Sequence, residues 1–266
     1  MTRQAVVADQ FYPGNPAVLR QTLDTLIPAV QEKEDAFAVV SPHAGYVYSG
    51  AVAGETFARV QIPETVVILG PNHHGRGEAL ALGVSDWSMP LGKVPIERTL
   101  ADAVLRRSRV IVGDDTAHLY EHSLEVQVPF LQYLQENLKI VPIVVSHVSY
   151  SVCQEAAMDL AAAIREFTAP VLIVASTDMT HYESRRSASS KDRLALERIL
   201  AMDPEGLYET VVGNRISMCG IMPTTIALLA AMELGAREAE LVRYTDSGAV
   251  SGDTNQVVGY AGLIIR

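Results

Sequence analysis

Four short apolar segments of this chain end in side chains that can bind a metal or move a proton. AVVSPHAGY, VVILGPNHHG, IVVSHVS and VLIVASTDMTH deliver, in that order, His43, the pair His73 and His74, His147, and Asp178 with His181. Ligands of open α/β sheets bind outside the carboxyl ends of the parallel strands. Neutral imidazoles converging there suit a transition metal, and two histidines with a carboxylate form the facial triad of non-haem Fe(II) oxygenases. One strand-end histidine alone is more often a hydrogen-bonded loop residue, but four together favour a shared site.

His43 and His73 are the two predicted metal ligands. They lie thirty residues apart, which is the length of one βαβ unit, so they should follow adjacent or near-adjacent strands. Gly45 completes a tight turn that lets backbone approach a ligand, or it only shapes the passage from strand to helix. Adjacent histidines of a loop point in roughly opposite directions, so we predict that His73 faces the site and that His74 supports it or is structural.

Asp178 and His181 are predicted to handle protons. Their spacing after a buried strand fits a base with its orienting carboxylate, or a pair that hydrogen-bonds substrate. Capping of the next helix by Asp178 explains the aspartate equally well.

Three further residues are candidate ligands near the end of the chain. Cys219, in SMCGIMPTT, precedes a helix whose dipole would lower the pKa of the thiol, or it is a small buried residue. Asp246 and Asp253, in YTDSGAVSGDTN, supply oxygen ligands that a histidine-rich site lacks, or they form turns.

The segment HLYEHSLEVQVPFL contains His118 and His122 at the i, i+4 spacing of zinc proteases. Leu119 stands where the HExxH pattern requires a glutamate, so that pattern is absent. His122 either caps a helix or points into the cleft. Glu121 is predicted to be an acidic residue in the first turn of that helix.

The elements that must position these side chains alternate along the chain. The β-branched runs AFAVV, TVVILG, KIVPIVV and VLIVAS are typical of strands covered on both faces. Between them we predict helices, the first beginning at Asn15-Pro16 and another extending over 122–138. Strand and loop over 79–96 and a last strand in VVGYAGLIIR make the sheet mixed but largely parallel. We predict one domain over residues 1–266, with the polar segment near residue 185 as the alternative boundary.

Composition excludes several functional classes. The chain has 266 residues and a formal charge of −10, which argues against nucleic acid or an anionic membrane as its partner. Two cysteines are too few for a disulfide framework, and MTRQAVVADQFYPG lacks the apolar run of a signal peptide, so a cytoplasmic location is expected. No apolar run approaches membrane-helix length. GxGxxG, P-loop, GxSxG and CxxC motifs are absent.

Several motifs together resemble the Memo family, which includes the bacterial and archaeal proteins called AmmeMemoRadiSam system protein B. They are FYPGNP, SPHAGYVYSG, ILGPNHHG, EHSLEVQVPFLQ, STDMTHY, MCGIMP and GDTNQVVGYAG, in this order. The resemblance implies a three-layer α/β/α fold similar to LigB-type class III extradiol dioxygenases, which open catechol rings with non-haem Fe(II). It also implies that His43 and His73 bind metal, that His181 matches the catalytic base, and that Asp178 matches the neighbouring aspartate.

One position departs from the family pattern. The human-type protein has a cysteine as third ligand before the last strand, and counting between Tyr244 and Tyr260 places Val250 there. Valine cannot bind a metal. A nearby group such as Asp246, Asp253 or Cys219 therefore substitutes, or the site is weaker, or no metal is held.

Two functions of different classes are therefore in competition. The first is a metal-dependent enzyme of redox or dioxygenase-like chemistry that uses one iron, copper or zinc ion. The second is a non-catalytic binding or scaffold protein, and the prokaryotic family name suggests a radical-SAM or AMMECR-type protein as its partner. A metal-assisted hydrolase is a third hypothesis.

Overall fold

The computed structural model describes residues 2–266, which form twelve strands, nine α-helices and two short 3₁₀ helices. The strands are β1 (Thr2–Gln4), β2 (Ala38–Ser41), β3 (Thr65–Pro71), β4 (Leu80–Leu82), β5 (Asp86–Met89), β6 (Gly92–Val94), β7 (Val112–Gly113), β8 (Lys139–Val145), β9 (Val171–Ser176), β10 (His181–Glu183), β11 (Ala239–Asp246) and β12 (Val257–Ile265). The helices are α1 (Pro16–Leu26), α2 (Tyr46–Ala58), α3 (Arg98–Arg107), α4 (Val128–Leu134), α5 (Tyr150–Glu166), α6 (Arg185–Leu200), α7 (Pro204–Gly213), α8 (Ile221–Leu234) and α9 (Gly248–Ser251).

A mixed sheet forms the centre of the molecule. Its strand order is β10-β12-β2-β9-β3-β8-β4-β7, with β11 paired to β12. The four apolar runs predicted as strands are β2, β9, β3 and β8, which are neighbours and mutually parallel. The last strand, β12, is antiparallel to both β2 and β11, as expected for a mixed sheet. All four parallel strands therefore end at the same edge.

Helices cover both faces of this sheet, which confirms the three-layer α/β/α fold. Helix α8 packs against β2, β3 and β9 and is covered by α5 and α7. Because it is enclosed on several sides, α8 is apolar almost throughout. The other helical group consists of α2, which packs against β2, β11 and β12, with α1 and α4 beside it. Within residues 2–266, no helix combines the length and apolar character needed to cross a bilayer.

Two segments differ from the elements predicted for them. Of the helix predicted over 122–138, only Val128–Leu134 is α-helical, with Pro129 in its first turn. The residues before it form a 3₁₀ turn, Glu125–Gln127. The side chains of its first and last residues, Glu125 and Gln127, are fully buried. The polar segment RRSASSKDR lies inside α6. Asn15 caps α1 as expected, since its side chain accepts two backbone N–H groups of the first turn.

A buried ion pair ties the N-terminal strand to the loop that precedes α4. Arg3 Nη1 donates to Glu125 Oε2 at 2.7 Å, and both side chains are at most 5% exposed. The same guanidinium donates to the carbonyl oxygens of His118 (2.7 Å) and Glu121 (2.6 Å). Glu125 also accepts from the Tyr12 hydroxyl and from two backbone N–H groups of the N-terminal segment. Strand β1 therefore holds a loop more than a hundred residues away.

We expect Arg3→Met to lower the free energy of unfolding by about 3 kcal/mol or more, because it leaves the Glu125 carboxylate buried without its cation. The matched control is Arg98→Met, since Arg98 pairs with Asp86 but is 54% exposed. Its loss should cost at most about 1 kcal/mol. Urea unfolding of both variants measures the difference, and equal losses would show that the Arg3 pair contributes no more than a surface pair.

Candidate metal centre

Three imidazoles meet at the carboxyl edge of the sheet. His43 follows β2, His73 follows β3, and His122 belongs to the loop before α4. One ring nitrogen from each lies within 4.8 Å of the other two, and the ring centroids are 4.6 to 5.6 Å apart. These three residues, called here the histidine cluster, line a cleft of about 400 Å³. The sheet order thus brings His43 and His73 together as the sequence predicted.

Hydrogen bonds determine the tautomer of His43. Ser176 Oγ lies 2.8 Å from His43 Nδ1 and donates its single hydrogen to the carbonyl of Ser123 at 2.6 Å. Gln127 Nε2 donates to the same hydroxyl oxygen at 2.8 Å. Since that hydroxyl has no second hydrogen, it must accept one from His43 Nδ1. The other ring nitrogen, Nε2, therefore carries a free electron pair.

One buried carboxylate orients the other two rings. Glu121 Oε1 lies 2.9 Å from Nδ1 of His73 and 3.4 Å from Nδ1 of His122, while Oε2 accepts the backbone N–H of His73 at 2.7 Å. Burial acts to raise the pKa of Glu121, but hydrogen bonds from His73 and from the backbone of Ser123 outweigh it and lower that pKa to about 2. An ionised carboxylate can only accept, so His73 carries its hydrogen on Nδ1 and presents a free electron pair at Nε2.

Burial keeps two rings of the cluster, His43 and His122, uncharged near neutral pH. It lowers the pKa of His43, and the neighbouring rings of His73 and His122 lower it further. Burial also lowers the pKa of His122 to about 4, although Glu121 partly opposes the shift. Neutral imidazole is the form that binds metal ions. His43 and His122 are therefore in their metal-binding protonation state at pH 7.

Asp178 and His181 lie beside the histidine cluster and line the same cleft. Asp178 follows β9, the strand between β2 and β3, and its Oδ1 accepts the backbone N–H of His43 at 2.8 Å rather than capping a helix. Burial raises its pKa to about 6, although that hydrogen bond and nearby histidines oppose the shift. His181 Nδ1 donates to the carbonyl of Ser217 at 2.9 Å, so its Nε2 is the basic nitrogen.

Cys219 also reaches this region. Its Sγ lies 3.3 Å from His43 Nε2 and accepts the backbone N–H of Asp178 at 3.2 Å. Gly220 permits this approach, because a Cβ at that position would lie 2.4 Å from the carbonyl oxygen of Ser176. The predicted lowering of the thiol pKa is wrong: burial and the nearby carboxylate of Asp178 raise it.

Two predicted histidines lie away from the cluster. His74 is exposed, with its ring near Tyr120, although one of its nitrogens lies within 4.8 Å of ligand atoms of Glu121 and His122. That alternative group is weaker because the Glu121 oxygens already accept hydrogen bonds. His147 is exposed beyond β8, which is separated from β2 by two strands.

The candidate ligands of the C-terminal loop are engaged elsewhere or exposed. Both carboxylate oxygens of Asp246 accept hydrogen bonds from Arg185, at 2.6 and 2.7 Å. Asp253 is exposed and accepts the backbone N–H of Asn255 within its own turn. Val250 is 51% exposed in α9. The structure therefore does not bring any of these three to the histidine cluster.

Three orienting residues, Glu121, Ser176 and Gln127, were missed by the sequence reasoning. Glu121 was expected to be an acidic residue in the first turn of a helix, whereas it precedes the helical residues and its side chain is 1% exposed. The segment HSLEVQVP contained an indication that polar side chains are buried here. Its polar residues interrupt an apolar segment at positions that a regular surface helix would bury. Gly70 is a second signal, because a Cβ there would lie 2.5 Å from Leu124, so only glycine lets β3 lie this close to the loop.

Comparison with known proteins gives concordant matches. A family model described as "Memo-like protein" matches residues 3–264. The chain is 42% identical to MEMO1 family protein MK0963 of Methanopyrus kandleri, covering 100% of this chain and 99% of that protein. It is 40% identical to MEMO1 family protein MTH_45 of Methanothermobacter thermautotrophicus, covering 99% and 100%. In fold, it is similar to the crystal structure of uncharacterized protein JW3007 from Escherichia coli K12, with a TM-score of 0.56 and 12% identity over 85% of this chain and 98% of that chain.

At pH 8, we expect long-range ¹H–¹⁵N NMR spectra to show the side-chain hydrogen of His43, His73 and His181 on Nδ1, because each Nδ1 faces an atom that can only accept. The exposed His147 is the control and should show a mixture of tautomers. Of these three histidines, only His73 should change in Glu121→Gln, since Ser176 still orients His43 and the carbonyl of Ser217 still orients His181. Hydrogen on Nε2 of His43 or His73 in the unaltered protein would contradict this assignment.

Proposed function

The chain belongs to the Memo family, and from that premise we propose that it is a metal-dependent enzyme whose histidine cluster binds one transition-metal ion. The observation that carries this proposal is the convergence of the three rings, with one nitrogen of each within 4.8 Å of the other two. The Nδ1 atoms of all three face hydrogen-bond partners or the Glu121 carboxylate, which leaves Nε2 for the ion. Donors of this type suit iron, copper or zinc rather than magnesium or calcium.

The bound ion would polarise a ligand in the cleft or activate oxygen. The protein's own residues would orient the metal ligands and transfer protons. Glu121 holds two rings in place, so little reorganisation is needed when the ion binds. His181 Nε2 is available to take a proton from a substrate beside the cluster. Asp178, with its pKa near 6, can hold or release a proton close to neutral pH. The family resemblance favours oxidation by iron or copper as the reaction class.

We expect the metal-free protein, prepared without a histidine tag, to bind one equivalent of Fe²⁺ under anaerobic conditions, or of Zn²⁺. His43→Ala, His73→Ala and His122→Ala should each weaken binding by about 100-fold or more, because each removes a direct ligand. Isothermal titration calorimetry and elemental analysis measure the affinity and the stoichiometry.

Two variants control for this experiment. His147→Ala removes an exposed histidine outside the cluster, and His181→Asn changes the cleft without removing a member of the cluster. Both should bind metal as the unaltered protein does. Metal binding that survives all three cluster substitutions, or no binding by the unaltered protein, would refute the proposed metal centre.

We expect His181→Asn to lower metal-dependent turnover by about 100-fold at unchanged metal content, since it removes the base. Fe²⁺-loaded protein is screened by oxygen consumption and mass spectrometry against dihydroxyaromatic compounds. Parallel reactions with esters and phosphate esters test the hydrolase hypothesis. The control is His147→Ala, which should keep full turnover.

Metal binding without His181-dependent turnover would favour a non-catalytic function. A protein that binds metal but shows no turnover dependent on His181 is better explained as a binding or scaffold protein. The partner suggested for it is a radical-SAM or AMMECR-type protein, and co-purification with such proteins would then be the next measurement.

A further inference from the structure

Tyr182 combines two features that are unfavourable in the protein alone. Its backbone has a φ of +58°, in the left-handed region that a bulky side chain rarely adopts. The residue is also 74% exposed, although its ring is largely apolar. Within residues 2–266, four residues other than glycine have a positive φ, and Tyr182 is the aromatic one among them. Neither feature stabilises the fold, so the packing of the chain does not explain this residue.

The left-handed conformation belongs to a bulge in β10. The partners of His181 and Glu183 are adjacent residues of β12, so Tyr182 is the extra residue between them. Bulges are common beside active sites, where they redirect a side chain. This bulge places Tyr182 directly after His181, and the centroids of the two rings are 5.8 Å apart. Tyr182 is thereby one of the residues that line the cleft, and its exposure places it at the mouth.

Contacts on both sides hold the bulge in place. Before it, the backbone N–H of His181 donates to Ser217 Oγ at 2.8 Å. After it, the carboxylate of Glu183 accepts from the ammonium group of Lys191 at 2.5 Å. A strained residue persists only where the surrounding structure fixes its position. The backbone of Tyr182 is therefore fixed, and its ring is presented at the mouth of the cleft.

A second aromatic side chain lines the same cleft. Phe11 belongs to the segment between β1 and α1, and the centroid of its ring lies 4.9 Å from that of His122. Tyr182 lies beside His181 instead, so the two aromatic residues contact different histidines. Aromatic rings attract other rings in offset or edge-to-face packing. A cleft of about 400 Å³ with aromatic rings on two elements therefore suits a ligand that carries a flat ring next to its metal-binding group.

We propose that Tyr182 is a specificity-determining residue, whose ring packs against a flat aromatic ring of the ligand held at the histidine cluster. This inference rests on the metal-binding function proposed above. Binding of such a ligand covers the exposed ring of Tyr182, and the contact offsets the strain of the bulge. The conformation of Tyr182 thus lowers the stability of the free protein and favours the bound state.

A matched pair of ligands tests the inference on protein loaded with Zn²⁺. Benzohydroxamate and acetohydroxamate carry the same metal-binding group, but only benzohydroxamate carries a ring. We expect the unaltered protein to bind benzohydroxamate more tightly, by about tenfold. Tyr182→Ala should lose most of this preference at unchanged affinity for acetohydroxamate, because it removes the ring contact and leaves the metal in place. Isothermal titration calorimetry measures both affinities.

Two further substitutions identify the chemistry of the contact. Tyr182→Phe keeps the ring and should keep the preference to within about twofold, whereas Tyr182→Leu keeps only an apolar side chain and should reduce it by about threefold or more. The control is Arg215→Gly, because Arg215 is also exposed and has a φ of +51°, but does not line the cleft. This variant should show the preference of the unaltered protein.

Thermal unfolding tests the backbone strain separately. Tyr182→Gly should unfold at a temperature about 2 °C or more above that of Tyr182→Ala, because glycine adopts the left-handed conformation without steric cost. Both variants should lose the preference for benzohydroxamate equally, since both lack the ring. A glycine variant that is no more stable than the alanine variant would overturn the strained bulge and the inference with it.

The outcomes separate this inference from the function on which it rests. If both hydroxamates bind but the unaltered protein shows no preference, or if Tyr182→Ala keeps the preference, the metal centre stands and the role of Tyr182 is overturned. If neither hydroxamate binds to protein incubated with Zn²⁺, both proposals are overturned.

Discussion

The buried residue Glu121 connects, through its carboxylate and its carbonyl group, three parts of the fold that are distant in sequence. Its oxygens accept hydrogen bonds from the backbone and ring of His73, after β3, and from the backbone of Ser123, and they face the ring of His122. Its own carbonyl oxygen accepts from Arg3 of the N-terminal strand. A charge this deeply buried is tolerated only when hydrogen bonds satisfy it on all sides. The loop that carries Glu121 therefore has little freedom, and His122 is fixed with it.

The parallel sheet positions the residues of the other half of the site. Strands β2, β9 and β3 are adjacent, so the residues that follow them arrive side by side as His43, Asp178 and His73. Asp178 is central, and its carboxylate accepts the backbone N–H of His43. A single geometric feature, the common direction of these strands, thus places two ring nitrogens and a carboxylate in one cleft.

The parts of this arrangement that follow from local pattern were predictable from the sequence. The apolar runs predicted β2, β3, β8 and β9, and their ends predicted where His43 and His73 lie. The separation of His147 from the histidine cluster was not predictable in the same way, because the order of the strands depends on packing between distant segments. Glu121 and Cys219 are placed by contacts with residues 48 and 176 positions away. The periodicity of a sequence carries no information about contacts between residues so far apart in the chain. Both residues also lie in irregular segments, where there is no periodic pattern to interpret.

The electrostatics of the cleft support the proposal that it binds a cation. Three rings direct nitrogen atoms into one small volume, and burial makes protonation of His43 and His122 unfavourable. Two carboxylates, Glu121 and Asp178, lie behind and beside them, and the second has its pKa raised because it is buried. A divalent ion among the rings would satisfy all three electron pairs and favour the ionised form of Asp178. The unfavourable burial of polar groups and the proposed affinity for a metal thus have the same physical origin.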